Sequence, residues 1–459
     1  IYPHNSPQPP WTADILQSAA PLQIPDTRFP ADAFSAYLLP APPAFDIGHP
    51  LDADFGGKVT LLGYDTAAPA AAGSDLALTL YWRVNEVPTA DYQPFIQLED
   101  AQGHRWSQLE AFAYPAEQWQ PGETIIQQVE VPIPRGAPPG DYQLRIGLFD
   151  QETADRAPRL DENGSYAGDA VVISPVPLLA GPVPDQLPAP PFPLDDGAAQ
   201  NLQLTGYERG PRQVFNGESW GMALWWLASA PLEPYSINLE LVDAAGVASP
   251  LLETQPVYDT FPFDEWQTPQ FVIDRQTLAI PADFSAGEYR LHLRLVNEKG
   301  ETIYTADLGP LQIEATERIF SPPPVDQELK AVFGDEIALL GANLSPLENG
   351  QADLALVWQA LQAPAAGYVV FVHVLNPDGS CCVWQQDSAP LSGTYATSRW
   401  LPGEVVVDNY EIMLPADLPP GDYPIEVGLY IAETGQRLGA ETAGGTTSDA
   451  IVLQPLKSP

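Results

Sequence analysis

The sequence predicts an all-β protein: three tandem two-sheet sandwiches behind an extended N-terminal arm. Three observations predict it. The first is composition. Fifty-two prolines and 35 glycines punctuate 459 residues, while 45% hydrophobic and 10% aromatic residues supply a core. Long helices are disfavoured by that punctuation, but burial is not. The second is a set of landmarks recurring three times in order. Trp82, Pro88, Tyr92 and Gly103 stand at offsets 0, 6, 10 and 21, and Trp225, Pro231, Tyr235 and Gly246 repeat them, as do Trp358, Pro364, Tyr368 and Gly379. A second block follows each: Trp119, Gly140 and Tyr142, then Trp266, Gly287 and Tyr289, then Trp400, Gly421 and Tyr423. The copies lie 143 and 133 residues apart, too long for a solenoid repeat, so each is a whole domain. The third observation is a period of two. Tyr142, Leu144, Ile146 and Leu148 alternate with Gln143, Arg145, Gly147 and Phe149, the pattern of an antiparallel strand with one face buried.

In chain order, residues 1–54 fit no sandwich pattern and read as an extended Pro-rich arm, with a helical turn or two at 11–18. The arm carries Tyr2, Trp11, Phe29, Phe34, Tyr37 and Phe45. So much apolar surface must pack, either on the arm's own first domain or on a neighbouring copy. The first sandwich is expected over 55–178, opening on Leu61-Leu62-Gly63. Its strands read at 59–64, 76–84, 94–99 and 125–133, separated by Gly, Pro and Asp turns. A proline-dense linker, 179–197, reads as a semi-rigid spacer. The second sandwich covers 198–315, a second linker 316–332, and the third sandwich 333–456. Trp82, Trp225 and Trp358 are expected in equivalent buried places, and Tyr142, Tyr289 and Tyr423 likewise. The Pro-Pro-Gly-Asp-Tyr runs ending at Tyr142 and Tyr423 suit a tyrosine corner, in which the hydroxyl bonds back to backbone just upstream. That device belongs to immunoglobulin-like and fibronectin-like sandwiches.

The third copy also carries Phe333-Gly334, Leu339-Leu340-Gly341, Gly393-Thr394-Tyr395, Trp400-Leu401-Pro402-Gly403-Glu404 and Val427-Gly428-Leu429-Tyr430. With the Tyr423 run, these residues resemble a bacterial extracytoplasmic immunoglobulin-like module. Such modules stand in tandem in large surface proteins, and behind the membrane domain of some dolichyl-phosphate-mannose-type glycosyltransferases. The second copy departs, with Trp266-Gln267-Thr268-Pro269 in place of the Trp-x-Pro-Gly turn. The resemblance spans about 55–456 and implies no catalytic residues in this chain.

Sixty acidic residues against 19 basic ones give a net charge of −41. Nucleic acid and anionic membrane surfaces are poor partners for that balance, because basic residues supply the affinity there. No apolar run is long enough to span a membrane. The chain begins at Ile1 without a leader, which suggests a processed product or a piece of something longer.

The search for chemistry returns little. Gly217-Glu218-Ser219-Trp220-Gly221 matches a nucleophile elbow, but an apolar strand follows where a helix is required. The five histidines show no ligand spacing. No catalytic residue and no cofactor are assigned. Asp150, Asp155, Asp161, Asn163 and Asp169 form an oxygen-rich loop, a Ca2+ candidate on ligand type alone. Trp119, Trp266 and Trp400 are candidates for stacking on sugar rings, although recurrence at fixed spacing favours plugs at the end of a core. Cys381 and Cys382 are adjacent. Neighbouring Cα atoms lie about 3.8 Å apart, below the usual disulfide range, so a bridge needs a strained tight turn, which Pro377-Asp378-Gly379-Ser380 would allow, and two separate cysteines are the favoured reading.

The expected function is a non-catalytic extracellular structural protein: a surface-layer, sheath or filament subunit. Its partners would be other copies, other surface proteins or glycans. The alternative is a periplasmic portion of a membrane glycosyltransferase, with glycan-binding accessory modules. Fold alone does not separate the two.

Overall fold

In a computed structural model, the described residues are 46–458 apart from 111–113, 115, 163, 165, 195–196, 416–417, 433 and 443–446, together with eight strand residues nearer the N-terminus. Strand dominates, and three short 3-10 turns are the helical elements among these residues. Each copy is a pair of sheets. In the first, one sheet runs 105–110, 92–99, 140–150, 171–179 and 70–71, and the other runs 124–132, 75–84, 59–66, 49–55 and 159–160. The 70–71 strand joins its sheet in parallel, a role that 213–215 takes in the second copy. The remaining pairs are antiparallel, so the copies are immunoglobulin-like sandwiches with cores between the sheets.

The first sandwich starts earlier than expected: His49–Phe55 is a strand paired with Val59–Thr66. The rest of the arm, including the helical turn expected at 11–18, lies outside the described residues except for Tyr2–Pro3 with Phe34–Ser35 and Ala20–Pro21 with Tyr37–Leu38.

The Leu-x-Gly landmark is a β-bulge. Register shifts at Leu61/Gly63, Leu204/Gly206 and Leu339/Gly341. A Cβ on Gly63, Gly206 or Gly341 would stand 2.4, 2.5 or 2.4 Å from the carbonyl oxygen of His49, Phe192 or Gln327. The preceding segment crosses there at backbone contact, and only glycine leaves room.

The same registers correct one landmark. Leu61 stands opposite Trp82 and Leu339 opposite Trp358, but Leu204 stands opposite Trp226. Trp82, Trp226 and Trp358 are the equivalent core residues, each fully buried beside a phenylalanine ring at 5.3–6.0 Å. Trp225 faces the other side of its sheet, the place of Tyr81 and Val357. Two tryptophans stand side by side, and period-two geometry sends neighbours to opposite faces.

The tyrosine corner is present in all three copies. Tyr142, Tyr289 and Tyr423 donate their hydroxyls to the carbonyls of Pro138, Ser285 and Pro419, each four residues upstream, at 2.9, 3.0 and 2.7 Å. Tyr142 and Tyr423 are buried. Tyr289 is only half-buried, because Phe284 packs beside it near the surface.

The linkers are tied down rather than acting as spacers. Val183 and Leu187 pack on the first core, and Phe192–Pro193 adds a short strand to the second sandwich. Ile319 bridges to Val405 of the third.

Candidate functional site: the domain junctions

The strand Ser219–Ala228 does not alternate; from Met222 to Trp226 every residue is buried. Its partner Gln270–Ala279 opens with five consecutive buried residues. A strand buried on both faces reads as a continuous apolar run, and here the second cover is the first sandwich. Ala223, Trp225, Phe271 and Ile273 belong to the first sandwich's core cluster, beside Ile133 and Ala137. Trp225 meets Phe271 edge-on at 5.9 Å. Ile273 N–H donates to Gly136 O at 2.8 Å. Gly136 holds φ +83°, and a Cβ on it would stand 2.7 Å from Phe271.

A polar line flanks this apolar patch. Asp100 Oδ2 accepts from Trp106 Nε1 at 2.9 Å and lies 3.0 Å from His104 Nδ1. His104 Nε2 lies 3.0 Å from Thr277 Oγ1 and 3.3 Å from the Tyr258 hydroxyl, both of the second sandwich. Burial opposes ionisation of Asp100, but the hydrogen bonds from His104 and Trp106 outweigh it and hold its carboxyl below the usual range. Arg275 lies over the Trp106 ring at 4.1 Å and donates to Arg105 O. The acid, imidazole and hydroxyl stand in triad order, yet they come from two domains and bridge them.

The second junction turns on Arg318, from the linker. Its side chain is 8% exposed, and its partner Glu404 is 1% exposed. Arg318 donates to Glu404, to the Tyr395 hydroxyl at 2.6 Å and to Arg399 O at 2.9 Å. Arg399 pairs with Glu218 of the second sandwich at 3.2 Å. Thr316 N–H donates to Asn216 Oδ1 at 3.0 Å.

Glu404 also explains the Trp-x-Pro-Gly-Glu turn. Its Oε2 accepts Leu401 N–H, and Oε1 accepts the Tyr395 hydroxyl. In the first copy Glu123 does the same for Gln120 N–H and Tyr114. There burial and the Glu123 carboxylate push the Tyr114 phenol up to about 12.

Trp119, Trp266 and Trp400 are buried, so no face is offered to a sugar ring. Trp119 and Trp266 donate their indole N–H to the carbonyls five residues back, Tyr114 and Phe261, both at 3.0 Å. They plug the sandwich ends.

Among the described residues, the Ca2+ candidates do not converge. Asn163 lies outside the described residues. Asp150, Asp155, Asp161 and Asp169 form no convergent group of three among the described residues. Asp169 binds Arg145 at 2.7 Å and Arg156, and these arginines hold its carboxyl low despite burial. Arg156 lies over Phe95 at 4.5 Å, and Phe95 fills the space where Gly147 lacks a side chain. Gly428, Phe371, Arg437 and Asp449 repeat the arrangement in the third copy. Asp169 is therefore a structural anchor.

Sequence reasoning missed Asp274 and Asp408, eight residues after Trp266 and Trp400. Both are fully buried, and each accepts a loop N–H at 2.8 Å, from Val257 and Leu391. Burial pushes Asp274 up to about 7, with the hydrogen bonds from Val257 and Gln276 acting the other way. The signal was an Asp directly after three consecutive apolar residues, Phe271-Val272-Ile273 and Val405-Val406-Val407.

Cys381 and Cys382 are joined in a disulfide, the alternative to the favoured reading of two separate cysteines. No described helix is long and apolar enough to cross a membrane.

No family model matches the chain, and no curated protein matches it. Among solved structures, dimeric latent PorU from Porphyromonas gingivalis aligns with 92% of this chain at 10% identity and a TM-score of 0.21. The chain spans about a third of that protein, 35%, and likeness at this level carries no argument.

Proposed function

We propose that the chain is a non-catalytic, extracytoplasmic structural protein, a subunit of a surface layer, sheath or filament, with other copies or other surface proteins as partners. The observation that carries this reading is the buried outer face around Trp225, Phe271 and Ile273. With the Arg318–Glu404 pair at the other junction, it ties each sandwich to the next through buried contacts, which favours a fixed shape. Fixed shape is what a repeated subunit needs, because flexible joints would cost ordering entropy at every contact. The resemblance of the repeats to extracytoplasmic modules and the net charge of −41 agree with an exposed, soluble surface. Immunogold labelling of intact source cells, with native mass measurement of the extracted particle, tests the proposal. Surface label and a mass that is a multiple of the chain support it; label only after lysis, or a lone monomer, overturns it.

A further inference from the structure

The third sandwich holds a side-chain cluster that neither junction uses. His373 lies on Tyr368–Val374, and Cys381 and Cys382 lie on the turn that leads to Trp384–Ser388. A ring nitrogen of His373 and the two Sγ atoms all lie within 4.8 Å of one another. Asp387 Oδ1 stands 3.0 Å from His373 Nε2. The turn is held by its own polar groups: Asp378 Oδ1 accepts Ser380 N–H at 3.0 Å, and Asn376 N–H donates to Ser380 O at 2.9 Å.

We propose that this cluster is a redox-gated zinc site of Cys2His type, closed while Cys381 and Cys382 are joined and opened by a dithiol reductant. The balance is simple. A dithiol delivers two electrons and two protons, the Cys381–Cys382 bond breaks, and the reductant leaves as its own disulfide. Zinc then takes both sulfurs as thiolates, and the two thiol protons pass to solvent.

The geometry suits the ion. With Zn–S near 2.3 Å and Zn–N near 2.0–2.1 Å, tetrahedral ligand atoms stand about 3.3–3.8 Å apart. On reduction the two Sγ atoms part from bonding distance to that spacing, while the His373 nitrogen, now within 4.8 Å of them, closes to it, both by rotation of side chains. Three protein ligands leave the fourth position for water or an incoming group. Asp387, on Nε2, supplies the carboxylate that orients the imidazole for ligation through Nδ1. Cys381 is exposed and the other two ligands are half-buried, so reductant and metal both have access. Two sulfurs and an imidazole favour zinc over calcium, which takes oxygen.

The test uses the full chain, reduced with dithiothreitol, desalted under nitrogen and titrated with Co2+ as a spectroscopic probe, then with Zn2+. The expected result is one equivalent of Co2+ with a thiolate charge-transfer band, displaced by Zn2+. The oxidised chain and Cys381→Ser/Cys382→Ser should show neither. Asp387→Asn should weaken binding about tenfold, and His373→Gln by more, with both melting curves checked against the parent. A reduced chain that takes up no Co2+, or a His373→Gln chain that melts normally and binds as tightly as the parent, overturns the proposal.

Discussion

Ile273 donates its amide hydrogen to the carbonyl of Gly136 at 2.8 Å, and the two residues belong to different sandwiches. Gly136 is left-handed at φ +83° with no room for a Cβ against Phe271. Gly136→Val therefore adds backbone strain and a wedge at the junction. Overpacking of this kind costs about 1–3 kcal/mol, falling here on docking rather than on either core. We expect a larger radius of gyration by small-angle scattering, with the denaturation midpoint of the third sandwich unmoved.

The paired tryptophans give a sharper contrast. Trp226→Ala empties the second core and should destabilise that sandwich by about 3–5 kcal/mol. Trp225→Ala should instead loosen the first junction. Amide exchange should then rise along 270–275, while protection of the second core, read at Ile237 and Leu239, stays in place. Exchange that rises equally in both variants would contradict the assignment.

Arg318 and Glu404 form a buried pair. Removing one partner strands the other charge, so Arg318→Ala should cost about 3–5 kcal/mol. Arg318→Met with Glu404→Gln removes both charges, keeps a side-chain acceptor for the Leu401 N–H or the Tyr395 hydroxyl, and should recover part of that loss. Thermal melting of the single and double variants measures the difference.

Asp274 sets a pH dependence. Its folded carboxyl titrates at about 7, above the ordinary value of 3.8, so between these values the folded chain holds a proton that the unfolded chain releases. Its contribution to stability is whole below about pH 4 and is lost as pH rises through 7. Asp408 shifts in the same direction, chiefly by burial. Asp100 and Asp169 shift the other way, so the first sandwich should weaken in acid instead. Asp274→Asn should flatten the fall between about pH 4 and 7 for the second sandwich, as followed by exchange at its own core amides.

The alternating strands and the three copies were legible because each landmark serves a local purpose within its own copy. Gly63 clears a crossing backbone, and Tyr142 closes a corner four residues long. Trp225 and His104 were not legible, since their meaning depends on another domain's surface. The Trp225–Trp226 pair offered two registers, and the offsets selected the one that faces the junction. Asp169 looked like a calcium ligand because composition shows oxygen atoms and not the arginines that occupy them. Trp119 and its counterparts were ambiguous for a related reason: a plug and a sugar platform use the same residue, and only burial separates them.

The short strand Phe192–Pro193 has a consequence for how copies meet. It shields one margin of the second sandwich's sheet, and the loop bearing Gly136 occupies part of the opposite margin. The companion sheet ends on Ala248–Thr254, which carries Pro250 and a register break against Leu239 and Glu240. An incoming strand finds no clean template at either place. At these three margins the middle of the molecule is thereby a poor template for runaway strand-by-strand growth.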